Sequence, residues 1–92
     1  MVYSFVYTSK AQKDLAKIDD SISSKILKKL DYFIELPDPL AKAKQLTGFE
    51  IPTFSFRIGD YRVIFRRDKK GVCLVVLVVL RVAHRREVYK KL

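Results

Sequence analysis

All seven arginines of this 92-residue chain, at positions 57, 62, 66, 67, 81, 85 and 86, fall in residues 57–92, together with the single histidine, His84, and with Tyr89. A guanidinium is a planar, permanently charged fork that matches phosphate, whereas an ammonium is a hydrated point charge. Imidazoles titrate near neutrality, and cationic neighbours lower the pKa of a phenol. Together these groups have the makings of acid–base chemistry at a phosphate. The charge is just as uneven: residues 57–92 carry 11 basic and 3 acidic side chains, against 8 and 7 in residues 1–56. A solvated basic surface that aids solubility is the plain alternative. It would not need arginine so selectively, so a polyanionic partner is expected: nucleic acid, an acidic protein, or both. Taken singly, His84 reads as an ordinary solvated histidine and Tyr89 as a packing residue.

These side chains need a scaffold, and the alternation from Thr53 onward supplies one. Phe54, Phe56 and Ile58 alternate with Thr53, Ser55 and Arg57; Tyr61, Val63 and Phe65 alternate with Arg62, Ile64 and Arg66. Gly59-Asp60 between them is a two-residue hairpin signal, and glycine first favours a type II′ turn. The implied register sets Ile58 against Tyr61, Arg57 against Arg62, Phe56 against Val63 and Phe54 against Phe65. One face is then apolar, and the other holds Ser55, Arg57, Arg62, Ile64 and Arg66. Like charges directly opposed destabilise a strand pair, so an Arg57–Arg62 pair implies an anion between them, unless both splay into water or meet a carboxylate elsewhere. A turn at Asp68-Lys69-Lys70-Gly71 and an apolar strand from Val72 to Leu80, expected to be covered on both faces, return the chain to the hairpin end. That return could gather Arg57, Arg62, His84, Arg85 and Tyr89 on one concave surface. Cys73, inside the strand, reads as a small core residue.

Upstream, Val2 to Tyr7 reads as a strand. Ser9 and Gln12 fit a capping box, followed by Ala11, Leu15 and Ile18 at helical spacing. Asp19-Asp20-Ser21 restarts the pattern. Ile22, Ile26, Leu30 and Phe33, widened by Leu27 and Ile34, form a second helical stripe, ended by Pro37 and Pro39. Residues 40–52 are the least legible, with a helical turn expected at 41–44 and a turn into the sheet at Leu46-Thr47-Gly48. The expected class is α+β: an N-terminal strand, a helical hairpin, then a C-terminal antiparallel β-meander, with the helices on one face of the sheet. Residues 1–92 make a single domain. Its 49% hydrophobic content is too high for a disordered tail. One cysteine excludes an intrachain disulfide framework, and with one histidine no ordinary Cys/His zinc site forms. The longest apolar run is far short of the roughly 20 residues of a spanning helix. The N-terminus lacks a signal-peptide pattern, so a cytoplasmic location is expected.

The segments Leu46-Thr47-Gly48, Phe54-Ser55-Phe56-Arg57-Ile58-Gly59-Asp60-Tyr61-Arg62-Val63-Ile64-Phe65 and Arg81-Val82-Ala83-His84-Arg85-Arg86-Glu87-Val88-Tyr89 resemble the RelE/ParE toxin superfamily, as do the chain's length and element order. The resemblance implies a RelE-like fold and, for the RelE branch, a toxin that cleaves messenger RNA in the ribosomal A site. The 2′-hydroxyl attacks the adjacent phosphate and leaves a 2′,3′-cyclic phosphate. It also implies that the positions of Arg57, Arg62, Arg85 and Tyr89 carry the chemistry, with a histidine near His84 in some relatives. Ser55 departs from the pattern, standing where some RelE proteins carry a second lysine.

On this reading Arg62 binds the scissile phosphate, Arg57 supports it, Arg85 faces the leaving 5′-oxygen, and Tyr89 or His84 is the base. Lys44, Ser55, Arg66, Arg81, Arg86 and Lys90 are expected RNA contacts. No cofactor or metal is called for, since the nucleophile belongs to the substrate. The expected partners are a cognate acidic, RelB-like antitoxin, the ribosome and mRNA, with no membrane. Two rivals stand beside it. A ParE-like gyrase poison has no need of a clustered Arg, His and Tyr set. A basic nucleic-acid-binding module lacks the exposed aromatic platform expected of a stacking surface.

Overall fold

The computed structural model describes residues 2–70 and 74–87. Strand β1 (Val2–Tyr7) leads into helices α1 (Ser9–Lys17) and α2 (Asp20–Ile34), a 3₁₀ turn (Pro39–Lys42) and strands β2 (Ala43–Leu46), β3 (Thr53–Ile58), β4 (Tyr61–Lys70) and β5 (Leu74–His84). The sheet order is β1-β5-β4-β3-β2. β1 runs parallel to β5, and the other pairs are antiparallel. This is the expected α+β arrangement, with the helices against one face and the other face left open among the described residues.

The core forms where α1 and α2 meet the sheet. Ala11, Ile26, Leu30 and Phe33 pack with Phe56, Val63, Phe65, Val75, Leu77, Val79 and Val82. Phe56 stacks between Phe33 and Phe65, with ring centroids at 4.7 and 4.6 Å. Ile22 departs from the predicted stripe. It lies in the first turn of α2 at the rim of a groove with Tyr61, and is 36% exposed. Leu27 is likewise exposed. The cap of α1 falls one residue before the expected one: Thr8 Oγ1 accepts from the Ala11 amide at 3.2 Å, and Gln12 Nε2 donates to the Tyr7 carbonyl. α2 is capped by Asp19, whose carboxylate accepts from the Ser21 amide at 2.9 Å.

The β3–β4 hairpin has the register read from its turn, with Arg57 opposite Arg62 and Phe56 opposite Val63. Gly59 takes φ +58°, and no non-glycine residue among those described has a positive φ, which fits the type II′ assignment. Three expectations are corrected. First, residues 43–46 form an edge strand, not a helical turn, because pairing with β3 captures them. Second, Asp68, Lys69 and Lys70 belong to β4, paired with Val76, Val75 and Leu74, because ladder pairing overrides their turn character. Val72 and Cys73 lie outside the described residues. Third, none of the described helices covers the second face of β5. There Leu74 is exposed, Val76 and Leu80 are half-buried and Val78 is buried, since both described helices pack on the other face. β5 also carries an extra residue in its pairing with β4, at the shift between Ile64 and Phe65. None of the described helices is long and apolar enough to cross a membrane.

Candidate active site

Alternation along the strands sorts the candidate residues between the two faces of the sheet. Core residues Phe56, Val63 and Val82 face the helices, so Ser55, Arg57, Arg62, Ile64 and Ala83 face the other way. At the hairpin end of this open face lies a groove of about 330 Å³, lined by Lys42, Ala43, Lys44, Ser55, Arg57 and Arg62. Its walls come from β2, β3 and β4, the three strands locked by the registers Lys44 to Ser55 and Arg57 to Arg62. Among the described residues the lining holds four cations and no carboxylate. Ser55 is buried and Arg57 exposed. Arg62 is half-buried, and its Nη1 donates a long hydrogen bond of 3.5 Å to the Tyr61 carbonyl. Such a groove suits a phosphate-bearing strand.

Arg66 is on the same face, opposite Thr53 and Val78, further from the hairpin turn. Arg85 and Arg86 occupy the turn after β5. The Arg85 amide donates to the Asp60 carbonyl at 2.7 Å, which ties that turn to the β3–β4 loop. Its guanidinium lies 3.9 Å from the Asp60 carboxylate, with both groups exposed. Tyr89 and Lys90 lie outside the described residues.

Of the described candidates, Lys44, Ser55, Arg57 and Arg62 line the groove, and two of the others lie on the opposite face. Arg81, expected as an RNA contact, is on the helix side. Its Nε and Nη2 donate to Asp14 Oδ2 and Oδ1, each at 2.9 Å. Arg81 keeps the face of core residue Val79, two residues earlier in β5. The irregularity brings Val82 to that side as well. Asp14 of α1 serves both residues, because the Val82 amide also donates to Oδ2 at 2.9 Å. The hydrogen bond to Asp14 raises the Arg81 pKa further. His84, expected on the concave surface with the arginine pair, is also on the helix side. It pairs with Tyr61 and meets its ring edge-on, with centroids at 5.5 Å and an interplanar angle of 81°. Its Nδ1 accepts from the Arg86 amide at 3.3 Å. Ala83, one residue earlier, takes the open-face position beside Arg62.

Sequence reasoning missed Lys42 and Asp14. Lys42 was within reach, since Lys42-Ala43-Lys44 has the alternation of the hairpin that follows. Asp14 gave no signal: an acidic residue between apolar helix positions is what any exposed helix face shows.

The chain and its fold have known counterparts. The family described as ParE toxin of type II toxin–antitoxin system, parDE, matches residues 5–89. Toxin RelG of Mycobacterium tuberculosis is 33% identical over 92 residues, covering 99% of this chain and all of that one. Among solved structures, the toxin–antitoxin complex RelBE2 of Mycobacterium tuberculosis aligns with a TM-score of 0.69 at 31% identity, over 92% of this chain and 100% of that one. The archaeal RelE–RelB complex from Pyrococcus horikoshii aligns with a TM-score of 0.68 at 25% identity, over 92% and 97%. The chain belongs to the RelE/ParE superfamily and is a toxin of the type II toxin–antitoxin class, on the RelE branch.

Proposed function

We propose that this toxin is a ribosome-dependent endoribonuclease that cuts mRNA in the A site. The observation that carries this reading is the Arg57–Arg62 cross-strand pair opening into a cationic groove on an uncovered sheet face. Two opposed guanidiniums without a carboxylate between them are costly in the free protein and favourable once a phosphodiester sits over them. In the reaction the 2′-oxygen bonds to phosphorus, the bond to the 5′-oxygen breaks, and a 2′,3′-cyclic phosphate remains. Arg62 holds the scissile phosphate and stabilises its added charge. Arg57 supports it, and Arg85, tethered beside the hairpin loop, faces the leaving oxygen as acid or electrostatic stabiliser. With His84 on the other face, Tyr89 is the base that takes the 2′-hydroxyl proton. The mechanism draws on no metal, because the nucleophile is internal to the substrate and the arginines supply the charge.

The partner that restrains the toxin is an acidic, RelB-like antitoxin, in keeping with the RelB–RelE complexes among its structural relatives. It covers the basic face in the cytoplasm. Ribosomes programmed with a defined message test the activity. Added toxin should yield cuts in the A-site codon with 2′,3′-cyclic ends, and Tyr89→Phe should slow the saturated single-turnover rate with ribosome binding intact. Intact message together with inhibited gyrase would instead give the chain to the ParE mode of action.

A further inference from the structure

We propose that Lys44 holds the phosphate next to the scissile one, so that the groove grips two consecutive phosphates of the RNA strand; this rests on the endoribonuclease reading above. Arg57 and Arg62 are direct cross-strand partners, so both guanidiniums serve one locus. Lys44 belongs to another row. It stands opposite Ser55, two residues along β3 from Arg57 and one strand further out. Two residues of strand rise about 6.7 Å and neighbouring strands lie about 4.8 Å apart, which sets the Lys44 and Arg57 backbones about 8 Å apart on a diagonal. An ammonium on a four-carbon stem at that position reaches an anion beside the one held by the arginines, within the same 330 Å³ groove.

Charge count and shape agree with this. A single phosphodiester carries one negative charge, too little for the four cations that line the groove. A strand that brings a second phosphate into the same space relieves their mutual repulsion. Beside Lys44, Ser55 presents only a hydroxymethyl group and is 7% exposed, so the floor there is low enough for a nucleotide linkage to pass. Lys44 itself is exposed on the edge strand, where a bound strand can enter from the side. Lys44 is therefore a positioning residue: it aligns the strand over Arg62 and does not act on the bond that breaks.

The test compares Lys44→Ala, Lys44→Arg and, as a distant surface control on α2, Lys28→Ala on programmed ribosomes. Lys44→Ala should raise the toxin concentration for half-maximal cleavage about tenfold, as expected for one lost charge-assisted contact, with the saturating single-turnover rate within about twofold of wild type. Lys44→Arg should restore the concentration dependence. In binding to a short single-stranded RNA, Lys44→Ala should reduce the slope of log affinity against log salt by about 0.7. If Lys44→Ala matches Lys28→Ala in both readouts while the wild type cleaves, the second-phosphate assignment is wrong and the nuclease reading stands. A fall in the saturating rate at unchanged half-maximal concentration overturns it too, by placing Lys44 at the scissile phosphate. A wild type that never cleaves removes both.

Discussion

Arg62 and Arg81 sit near the same end of the same sheet, yet the two faces give them different work. On the helix side Arg81 is 19% exposed and locked in a two-bond pair with Asp14, which also takes the Val82 amide. On the open side Arg62 faces Arg57 across a groove lined by further lysines. One arginine has its counter-charge built in, and the other requires it from outside. The first arrangement stabilises the fold. The second holds repulsion in reserve, and binding an anion releases it. What separates the arginines of the C-terminal segment is the face each one occupies, not their number.

The sharpest way to break this contrast is to remove one arginine from the open face. Arg62→Ala should lower cleavage by orders of magnitude, while the melting temperature stays level or rises, because repulsion with Arg57 is relieved. A drop in melting temperature in step with activity would make Arg62 structural, and the two faces alike.

Asp14→Ala should do the reverse. It leaves a largely buried guanidinium and the Val82 amide without this acceptor, at a cost of about 3 kcal/mol. That is comparable to truncating the fully buried Phe56 to alanine, which costs about 3–5 kcal/mol. Urea melts measure both. Cleavage per folded molecule should be unchanged in Asp14→Ala, and a selective loss of activity would mean that the Asp14–Arg81 pair reaches through the sheet into the groove.

The hairpin was legible because alternation and a glycine-first turn leave one register open. The cross-strand placement of Arg57 and Arg62 follows from that register. His84 and Arg81 were hidden for different reasons. The apolar run to Leu80 offers no period from which to count faces, so the sequence does not reveal that Arg81 shares the helix side with Val79; His84 joins it because the irregularity in β5 shifts the count by one residue past Arg81. A one-residue shift carries every later side chain to the opposite face. β2 was missed because four residues of mixed polarity make a strand only when β3 is there to pair with them. Ile22 was assigned to the core on spacing alone, which cannot tell where a helix overhangs the sheet.

His84→Gln sharpens the contrast at smaller scale. With its ring against Tyr61 on the helix side, the variant should cleave within about twofold of wild type. Its rate–pH curve should superimpose on the wild-type curve between about pH 5 and 8, the range in which imidazoles change charge. A rise with pH that the variant loses would return His84 to the role of base and require its ring to reach the arginine side.

The smallest effect concerns pH and stability, and it belongs to the helix side. Tyr7, at the end of β1 and packed against the core, has its phenol pushed up to about 12, first by burial and then by the Asp31 carboxylate. Because the folded-state value lies above that of the unfolded chain, about 10, the neutral phenol contributes stability in full below pH 10. That contribution is lost as pH rises toward about 12, where the folded state must bind the proton that the unfolded chain has already released. Tyr7→Phe keeps the ring and deletes the titration. Urea midpoints at pH 9, 10.5 and 11.5 should therefore fall less steeply for Tyr7→Phe than for wild type, with the two proteins differing least in slope below pH 10. Parallel declines would show that the phenol reaches solvent and that the alkaline limit of the fold is set by other groups.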